Sequence, residues 1–496
     1  MRGEGAQAPP SSQGATRHLG LVLGLLVSAQ FAVVVDFSIV QIALPTIRTQ
    51  LGMSLVDSQW IVSAYGVTFA GFLLLSGRLS DIYGGKRIFL VGFLVFCASS
   101  LVAGLATSEL VLICARVIQG VGAAVASASG LALLTRIFAP LGRLNQALGI
   151  FTAVSSAGFT SGILLGGILT EWIGWRWIFF VNIPIGIVAI SLSYRTLPDL
   201  ARNQGANRGL DLPGAVTITT GLMLLIYGLS DVGNGTTSYI TYATFIVAGL
   251  VLGAFVEIER RSSAPILPLS FLRRRTMFIA NVTALLTFAT MVPWIFFITF
   301  YLQVLLLYTP INAALAQVPA ALVFFFLGGF GAPKLVTRVG TKPVLVVAML
   351  TFSAGMILIS RLSLNSSYLT EILPTILVAS LGASLSVTAS NIAALSGAKR
   401  GEEGVASGLI NTSRQVGGPV GLALAVSIVG VLTHGVGLVG TRAQIASGLE
   451  YAFLAGAGFA GLAVVAALLL QDKTSRAGYS VASIDKDPSS GSAPVG

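Results

Sequence analysis

Charged residues are scarce in this sequence. Asp, Glu, Lys and Arg make up only 9% of the 496 residues, whereas a water-soluble domain has about 25%. Hydrophobic residues make up 55%, and the chain holds 57 glycines. This composition excludes an ordinary water-soluble globular protein and predicts a chain that lies mostly within a lipid bilayer.

Cysteine and histidine are almost absent. Cys97 and Cys114 both lie within apolar runs, so we expect neither a disulfide nor a metal site. The two histidines belong to no HExxH motif, and the chain has no Walker phosphate loop and no Gly-x-Ser-x-Gly turn. The glycines of GVGAAVASASG follow no strand, so they predict no dinucleotide site. The sequence therefore argues against an enzyme and predicts no cofactor.

Long apolar runs are abundant. A helix needs about 20 apolar residues to cross a bilayer, and about fourteen runs of roughly that length follow one another. Their expected bounds are 19–45, 57–76, 88–106, 109–133, 145–169, 176–193, 213–230, 239–257, 277–303, 314–336, 343–361, 370–395, 405–431 and 449–471. The first run is too long for a signal peptide and no cleavage site follows it, so we keep it as a helix. The sequence predicts an all-α integral membrane protein.

Lys and Arg indicate the orientation, because cytoplasmic loops carry most cations. With fourteen spans and both termini inside, the outside collects only Arg48, Arg176, Arg361 and Arg442. We therefore predict a multi-pass protein of the inner, cytoplasmic membrane with both termini cytoplasmic. The net charge of +11 then fits attraction to anionic lipids of the inner leaflet and calls for no nucleic-acid partner. We expect a monomer.

The fourteen runs divide into two groups of six with two runs between them. The fourth run, GVGAAVASASGLALL, resembles the twelfth, LGASLSVTASNIAAL, and the loop GRLSDIYGGKR has a counterpart in PKLVTRVGTKP. Such repeats predict two pseudo-symmetric six-helix bundles that face each other across a central cavity. The expected organisation is a cytoplasmic N-terminal tail (1–18), an N-terminal six-helix bundle (19–195), two linker helices with cytoplasmic loops (196–275), a C-terminal six-helix bundle (276–471) and a disordered cytoplasmic tail (472–496).

Four motifs resemble those of one transporter family. The loop GRLSDIYGGKR matches its cytoplasmic motif between helices 2 and 3, and RVIQG matches its helix 4 motif, while DFSIVQIALP and GWRWIFFVNIPIG are similar to its helix 1 motif and helix 6 opening. The chain resembles the major facilitator superfamily and, within it, the fourteen-helix drug:proton antiporters. The resemblance covers nearly the whole chain apart from its tails. It implies two six-helix bundles plus two extra helices, and multidrug efflux by alternating access.

The loop motif is a candidate gate at the cytoplasmic face. Its residues are Gly77, Arg78, Asp81, Gly84, Lys86 and Arg87. Asp81 is placed to accept hydrogen bonds from a helix N-terminus or to pair with Arg87, which would form a latch that breaks when the bundles move. The alternative is that the three cations only follow the positive-inside rule.

Glycines at a spacing of four predict a close helix contact. Gly158, Gly162 and Gly166 lie on one face of the fifth helix, and Gly167 follows them. Small residues let another helix backbone approach closely, so packing alone explains this face. The resemblance links it to the direction of export, but Ile163 stands where the family has a proline.

Asp36 is the one acidic residue expected deep within a span, eight residues before Leu44 and about 12 Å from the expected outer end. An aspartate at a helix centre costs about 2.5–3.5 kcal/mol, so it usually faces a partner or water. Arg116 is expected at the same depth in helix 4. A nearby cation favours the charged carboxylate, so movement of Arg116 or arrival of a cationic substrate would switch Asp36. We predict that Asp36 and Arg116 couple proton binding to transport.

Two alternatives remain at this site. Asp36 and Arg116 could form a static ion pair that holds helices 1 and 4 together, and a charge swap would separate that idea from a proton site. Sodium could replace the proton, but a carboxylate with few polar companions suits a proton better.

Candidates for the substrate cavity are less clear. They are Gln41, Gln119, Trp294, Tyr301 and Arg414. Gln41 occupies a position where the family usually has Asn. Arg414 is the other deep cation, about 14 Å from the inner end of helix 13, with either a structural or a transport role.

Aromatic residues of helices 9 and 10 offer a surface for a lipophilic compound or pack against other helices and lipid. They are Trp294, Phe296, Phe297, Phe300, Tyr301, Phe324, Phe325 and Phe326.

The favoured function is proton-coupled export of amphipathic drugs, antibiotics or dyes across the cytoplasmic membrane. The alternative is transport of one small metabolite or nutrient by the same fold. Since there is no ATP site, the energy must come from an ion gradient. The expected partners are a lipophilic small molecule and protons.

Overall fold

The protein was analysed as a computed structural model. It describes residues 12–198, 210–235, 237–262, 265, 267, 269–398, 402–433 and 441–470. The predicted disordered tail, 472–496, lies outside the described residues. The first helix begins at Ser12, so it already includes part of the predicted N-terminal tail.

Fourteen helices in the described residues are long and apolar enough to cross a membrane. They are α1 (Leu19–Leu51), α2 (Leu55–Tyr83), α3 (Gly85–Gly104), α4 (Glu109–Phe138), α5 (Gln146–Trp172), α6 (Trp177–Thr196), α7 (Leu212–Gly233), α8 (Tyr239–Arg261), α9 (Arg275–Leu305), α10 (Pro310–Val339), α11 (Thr341–Ser360), α12 (Tyr368–Ser396), α13 (Val405–Leu432) and α14 (Arg442–Leu468). Each overlaps one predicted run. Several are longer than predicted, α1 by six residues at its far end, because apolar sequence alone does not mark where a helix leaves the lipid.

Helices suit these runs because a helix satisfies its own backbone hydrogen bonds where lipid supplies no partners. Polar caps begin several of them. The Ser108 side chain accepts from the backbone of Val111 at the start of α4, and Thr309 caps α10 just before Pro310. Such caps satisfy the free N–H groups of a first turn.

Two turns show the internal repeat in the backbone. Gly84 joins α2 to α3 and Gly340 joins α10 to α11, and both have φ of +98°. In each turn the glycine N–H donates to a carbonyl four residues earlier, that of Ser80 or Val336. Only glycine adopts this conformation without strain, so the predicted correspondence of the two loops extends to their geometry.

The side on which α1 begins and α14 ends is called the inner side here, and it is the side predicted to be cytoplasmic. On the outer side, one apolar core joins helices of both bundles and includes Ile47 of α1 and Phe300 of α9. On the inner side, the N-terminal bundle has its own core around Phe89, and the C-terminal bundle has a separate one around Leu345. The bundles therefore share one core outside and have separate cores inside, as in an inward-facing transporter, while Leu74 of α2 and Gly408 of α13 still lie close together on the inner side.

Helix α7 lies in the groove between α2 and α13. The Gln59 amide donates to Ser230 at 2.9 Å, and the Ser427 hydroxyl donates to the carbonyl of Leu229 at 2.5 Å. The side chain of Thr219 lies against Gly71 of α2. Helix α7 therefore touches α2 at its outer end and at mid-membrane, while α8 packs on α7 and is mostly exposed.

Candidate functional site

Asp36 and Arg116 meet in the N-terminal bundle. The Arg116 Nη1 lies 2.6 Å from the Asp36 Oδ2, and both side chains are almost completely buried, at 0% and 1% exposure. The pairing follows the prediction that they share one depth. Helix α1 continues to Leu51, so Asp36 lies about 22 Å from the outer end of this helix, whereas about 12 Å was expected from the apolar run; its depth in the lipid stays a prediction.

Asp36 has more polar companions than the sequence indicated. Its Oδ1 accepts from the Gln119 amide and from the Asn182 amide, each at 2.8 Å. The Ser100 hydroxyl accepts from Gln119 at 2.6 Å and from Asn182 at 3.3 Å. The expectation of few companions was therefore wrong. These partners come from α3, α4 and α6, which are far from Asp36 in sequence.

Arg116 keeps other partners besides Asp36. Its Nη1 also donates to Gln119 at 2.6 Å, and its Nε donates to the carbonyl of Ile61 in α2 at 2.9 Å. The guanidinium lies 4.1 Å from the centre of the Tyr65 ring. Loss of the charge on Asp36 would leave Arg116 held by α2 and α4. A proton on Asp36 would therefore weaken the attachment of α1 without releasing Arg116.

Helix α1 also carries a contact between the bundles. The Gln303 amide of α9 donates to the carbonyl of Ile42 at 2.8 Å. Ile42 lies six residues beyond Asp36, about 9 Å along the helix. The carboxylate and the outer contact are thus parts of one rigid element.

The loop motif lies at the inner ends of α2 and α3. Arg78 donates to the carbonyl of Pro265 at 2.6 Å, and the Lys86 ammonium lies 5.6 Å from the centre of the Tyr194 ring. Among the described residues, no ion pair within 4 Å and no hydrogen bond joins Asp81 to Arg87. An open latch accords with bundles that are apart on this side, and the latch itself stays a prediction.

The α5 glycines lie against α1, with one exception. A Cβ on Gly158 would meet the Phe31 ring at 3.2 Å, one on Gly162 would meet the Val35 carbonyl at 2.8 Å, and one on Gly166 would meet the Ile39 carbonyl at 2.7 Å. Gly167 faces α10 of the other bundle, where a Cβ on it would lie 2.7 Å from the Ala314 Cβ.

Ile163 lies beside this contact, in a small apolar group with Ile42 and Ala314. It also lines a cavity between α5, α9, α10 and α12 of about 20 Å³, which is room for about one water molecule. A drug-sized ligand needs about 300–1,000 Å³, so this cavity would have to widen to hold one.

Gln41 and Trp294, like Arg414, carry polar atoms without a hydrogen-bond partner among the described residues. Both amide atoms of Gln41 and the Trp294 Nε1 have no hydrogen-bond partner in the described residues, although both side chains are buried. Trp294 lines the small cavity and packs edge-on against Phe352. A buried polar atom without a hydrogen-bond partner is energetically unfavourable. A ligand bound at this site would supply the missing partner.

Other candidates face away from the cavity. The Tyr301 hydroxyl donates to the carbonyl of Ser363 at 2.8 Å in the outer core, and Gln119 belongs to the Asp36 network. The aromatic side chains of α9 are buried and stack on one another, as Phe296 and Phe300 do with ring centres 4.8 Å apart. Phe324 lines the cavity, whereas Phe326 is exposed.

Arg414 lies in the C-terminal bundle, where α9, α12 and α13 meet. Its Nη2 donates to the carbonyl of Val387 at 2.8 Å. No group of three or more His, Cys, Asp or Glu side chains suited to a metal occurs within the described part of the chain.

A family model matches most of the chain. The sequence model of the Major Facilitator Superfamily matches residues 26–422. The chain belongs to this superfamily. It is therefore a multi-pass membrane protein of the transporter type.

Curated relatives cover most of the chain. The cephamycin export protein CmcT of Amycolatopsis lactamdurans is 38% identical over 446 residues, which are 90% of this chain and 90% of the relative. The puromycin resistance protein of Streptomyces alboniger is 35% identical over 410 residues, 82% of this chain and 81% of the relative. The tetracenomycin C resistance and export protein of Streptomyces glaucescens is 32% identical over 396 residues, covering 79% and 72%.

Solved structures support the fold alone. A bacterial homologue of the human lysosomal transporter Spinster, in an inward-facing and occupied conformation, matches with a TM-score of 0.66 at 15% identity, covering 91% of this chain and 97% of that chain. The nucleoside transporter NupG matches with a TM-score of 0.65 at 12% identity, covering 91% and 99%.

Sequence reasoning missed Asn182, Ser100 and Tyr65 as parts of the site. Asn182 could have been predicted from the sequence, since it is an amide in the middle of the apolar segment WIFFVNIPIG, and such a residue in a membrane helix usually has a polar partner. Ser100 could not have been predicted, because serines are common in membrane helices.

Proposed function

We propose that the protein is a proton-driven antiporter that exports amphipathic antibiotics or related compounds across the cytoplasmic membrane. Asp36 carries the proton, and its network is the observation on which the proposal rests. The names of the relatives support an antibiotic as substrate. The protein acts in transport rather than in catalysis, with both termini in the cytoplasm and anionic lipids around its basic inner face.

The network suggests how a proton is exchanged for a substrate. With Asp36 charged, its ion pair with Arg116 ties α1 to α4. A proton on Asp36 removes that pair, while Ile61 and Gln119 keep Arg116 in place. After the substrate has left on the outer side, a proton binds Asp36 there, α1 is free to shift back, and its contact with Gln303 closes the outer side again. The proton is then released inside, where the ion pair forms again before the next substrate binds.

A proton also fits the site better than sodium. A proton bonds to a single carboxylate oxygen, whereas Na⁺ needs several oxygen ligands around it. The Asp36 oxygens already accept from Arg116, Gln119 and Asn182, and these donors would have to leave before the carboxylate could coordinate Na⁺.

The experiment is a proton-release assay in inside-out vesicles with an acidic interior and a pH-sensitive dye. A panel of lipophilic cations, antibiotics and dyes is added to wild type, Asp36→Asn and the control Glu109→Gln, which changes an exposed carboxylate in the same way. We expect wild type and the control to release protons with at least one compound and Asp36→Asn to release none. Unchanged release by a normally inserted Asp36→Asn protein would refute the proposal.

A charge swap separates a proton site from a static ion pair. The double variant Asp36→Arg with Arg116→Asp restores opposite charges but moves the carboxylate from α1 to α4. We expect inserted protein without exchange, whereas a purely structural pair would allow exchange to return. If the whole panel is silent in wild type, the alternative of a transporter for a single metabolite gains support.

A further inference from the structure

Arg414 is a buried cation with neutral partners. Its side chain is 8% exposed. Its Nη2 donates to the Val387 carbonyl at 2.8 Å and approaches the Ser390 hydroxyl at 3.5 Å, and its guanidinium lies 5.6 Å from the centre of the Phe288 ring. The Nε has no hydrogen-bond partner in the described residues.

No described carboxylate balances this charge. Among the described side chains, Arg116 is the other buried arginine and is paired with Asp36, and Arg274 near the inner end of α9 is paired with Glu402 at 2.5 Å. None of the described carboxylates forms an ion pair within 4 Å of the Arg414 guanidinium. A buried charge without a counter-ion is strongly unfavourable, and charges inside membrane helices usually mark a functional path.

Arg414 also lies at the level where the shared outer core gives way to the separate inner cores. Its neighbour Phe288 is half-buried in α9, between Ala284 of the inner C-terminal core and Met291 of the shared outer core. One residue along α13, the Gln415 backbone approaches Gly66 of the N-terminal bundle. A molecule that enters from the inner side would reach this level just below the closed outer half.

We propose that Arg414 is the anion-binding group of the substrate site, and that the exported compounds carry a carboxylate or a similar anionic group on an apolar body. This inference rests on the proposed export function. The guanidinium presents a planar fork of donors that matches a carboxylate, and its free Nε lies on the edge that a second oxygen needs. Phe288 supplies an apolar surface beside it.

Binding of three probes with one fluorophore tests the proposal. They are dansyl-leucine, its amide and dansylcadaverine, which carry a negative charge, no charge and a positive charge. Affinity is measured by fluorescence with the full-length protein in detergent, without a proton gradient. We expect wild type to bind dansyl-leucine about tenfold more tightly than the amide, as a charge-assisted hydrogen bond allows, and dansylcadaverine most weakly.

Variants assign the preference to Arg414. Arg414→Gln should lose about tenfold in affinity for dansyl-leucine and nothing for the amide, Arg414→Lys should keep part of the preference, and the exposed control Arg361→Gln should behave as wild type. Equal affinities for all three probes in wild type, or equal weakening of all three by Arg414→Gln, would overturn the proposal. If Arg414→Gln does not fold, the ranking in wild type and Arg414→Lys decides.

The result is separable from that of the export assay. A carboxylate preference without proton release would uphold the anion site and refute antiport. Proton release by dansylcadaverine alone would support antiport and refute the anion site.

Discussion

At the scale of single residues, Asn182 is the partner of Asp36 that extends the network into α6. Its amide N–H donates to the Asp36 Oδ1 at 2.8 Å, while its own carbonyl oxygen has no partner in the described residues. An amide that turns over would offer that oxygen to a proton on Asp36. Asn182 is thus equipped to hold both states of the carboxylate.

Replacement of Asn182 should slow exchange. Asn182→Leu keeps the volume but removes a donor from the charged carboxylate, and such a loss costs about 1–3 kcal/mol. The state in which Asp36 is charged becomes less stable, so the rate of substrate-driven proton release should fall by about tenfold. The measurement is the vesicle assay with wild type and Asn182→Leu.

Asn281→Leu is the matched control for that change. Asn281 is the buried asparagine of α9, bonded to Ser413 at 2.8 Å and far from Asp36 in the other bundle. Its replacement should leave the rate of proton release unchanged. An equal loss in both variants would contradict a specific role for Asn182.

At the scale of elements, α5 is fixed to α1 by backbone contacts that admit no side chain. At Gly166 a Cβ would lie 2.7 Å from the Ile39 carbonyl, the closest approach of these glycines to the α1 backbone. Gly149, on the same helix near its inner end, has open space around its Cβ position. The two positions separate the effect of packing from that of helix propensity.

Gly166→Ala should reduce transport and thermal stability, whereas Gly149→Ala should not. Overpacking of a tight contact costs about 1–3 kcal/mol, and alanine is the better helix former at both positions. Melting of purified protein and uptake into vesicles measure the two effects. A Gly166→Ala protein as stable and active as wild type would show that α1 and α5 separate easily.

At the scale of the molecule, the inward-facing state depends on outer contacts that must break during transport. One of them is polar and exposed: the Glu171 carboxylate at the end of α5 accepts from the Ile311 backbone at the start of α10, at 2.9 Å. Asn312, the next residue, is exposed. This pair joins the two bundles and is accessible to reagents.

Cross-linking across that contact should stop transport reversibly. Cysteines at Glu171 and Asn312, in a background with Cys97→Ala and Cys114→Ala, are joined with a short bifunctional disulfide-forming reagent. Exchange should cease in the double variant and return on reduction, while each single cysteine variant remains active. Full exchange by the cross-linked protein would mean that this contact stays closed throughout the cycle.

Asp36 and Arg116 could be paired from the sequence because deep charges are rare and the two were expected at one depth, and the glycine spacing of α5 predicted its packing face. Ser100 and Asn182 approach Asp36 only through the bundle topology, which the order of the helices does not reveal. The groove position of α7 and the inward-facing state depend on how the two bundles meet, and alternating access requires one sequence to support more than one such arrangement.

Asp36, as the carrier of the proton, also determines how membrane voltage acts on export. Each elementary charge that crosses 100 mV contributes about 2.3 kcal/mol. Exchange of one proton for a monovalent cation moves no net charge, exchange for a neutral compound moves one, and exchange for a monovalent anion moves two. With Asp36 as the proton carrier and Arg414 holding an anion, 100 mV would supply about 4.6 kcal/mol per cycle. Such a protein would continue to export without any pH gradient, as long as the cell interior stays negative.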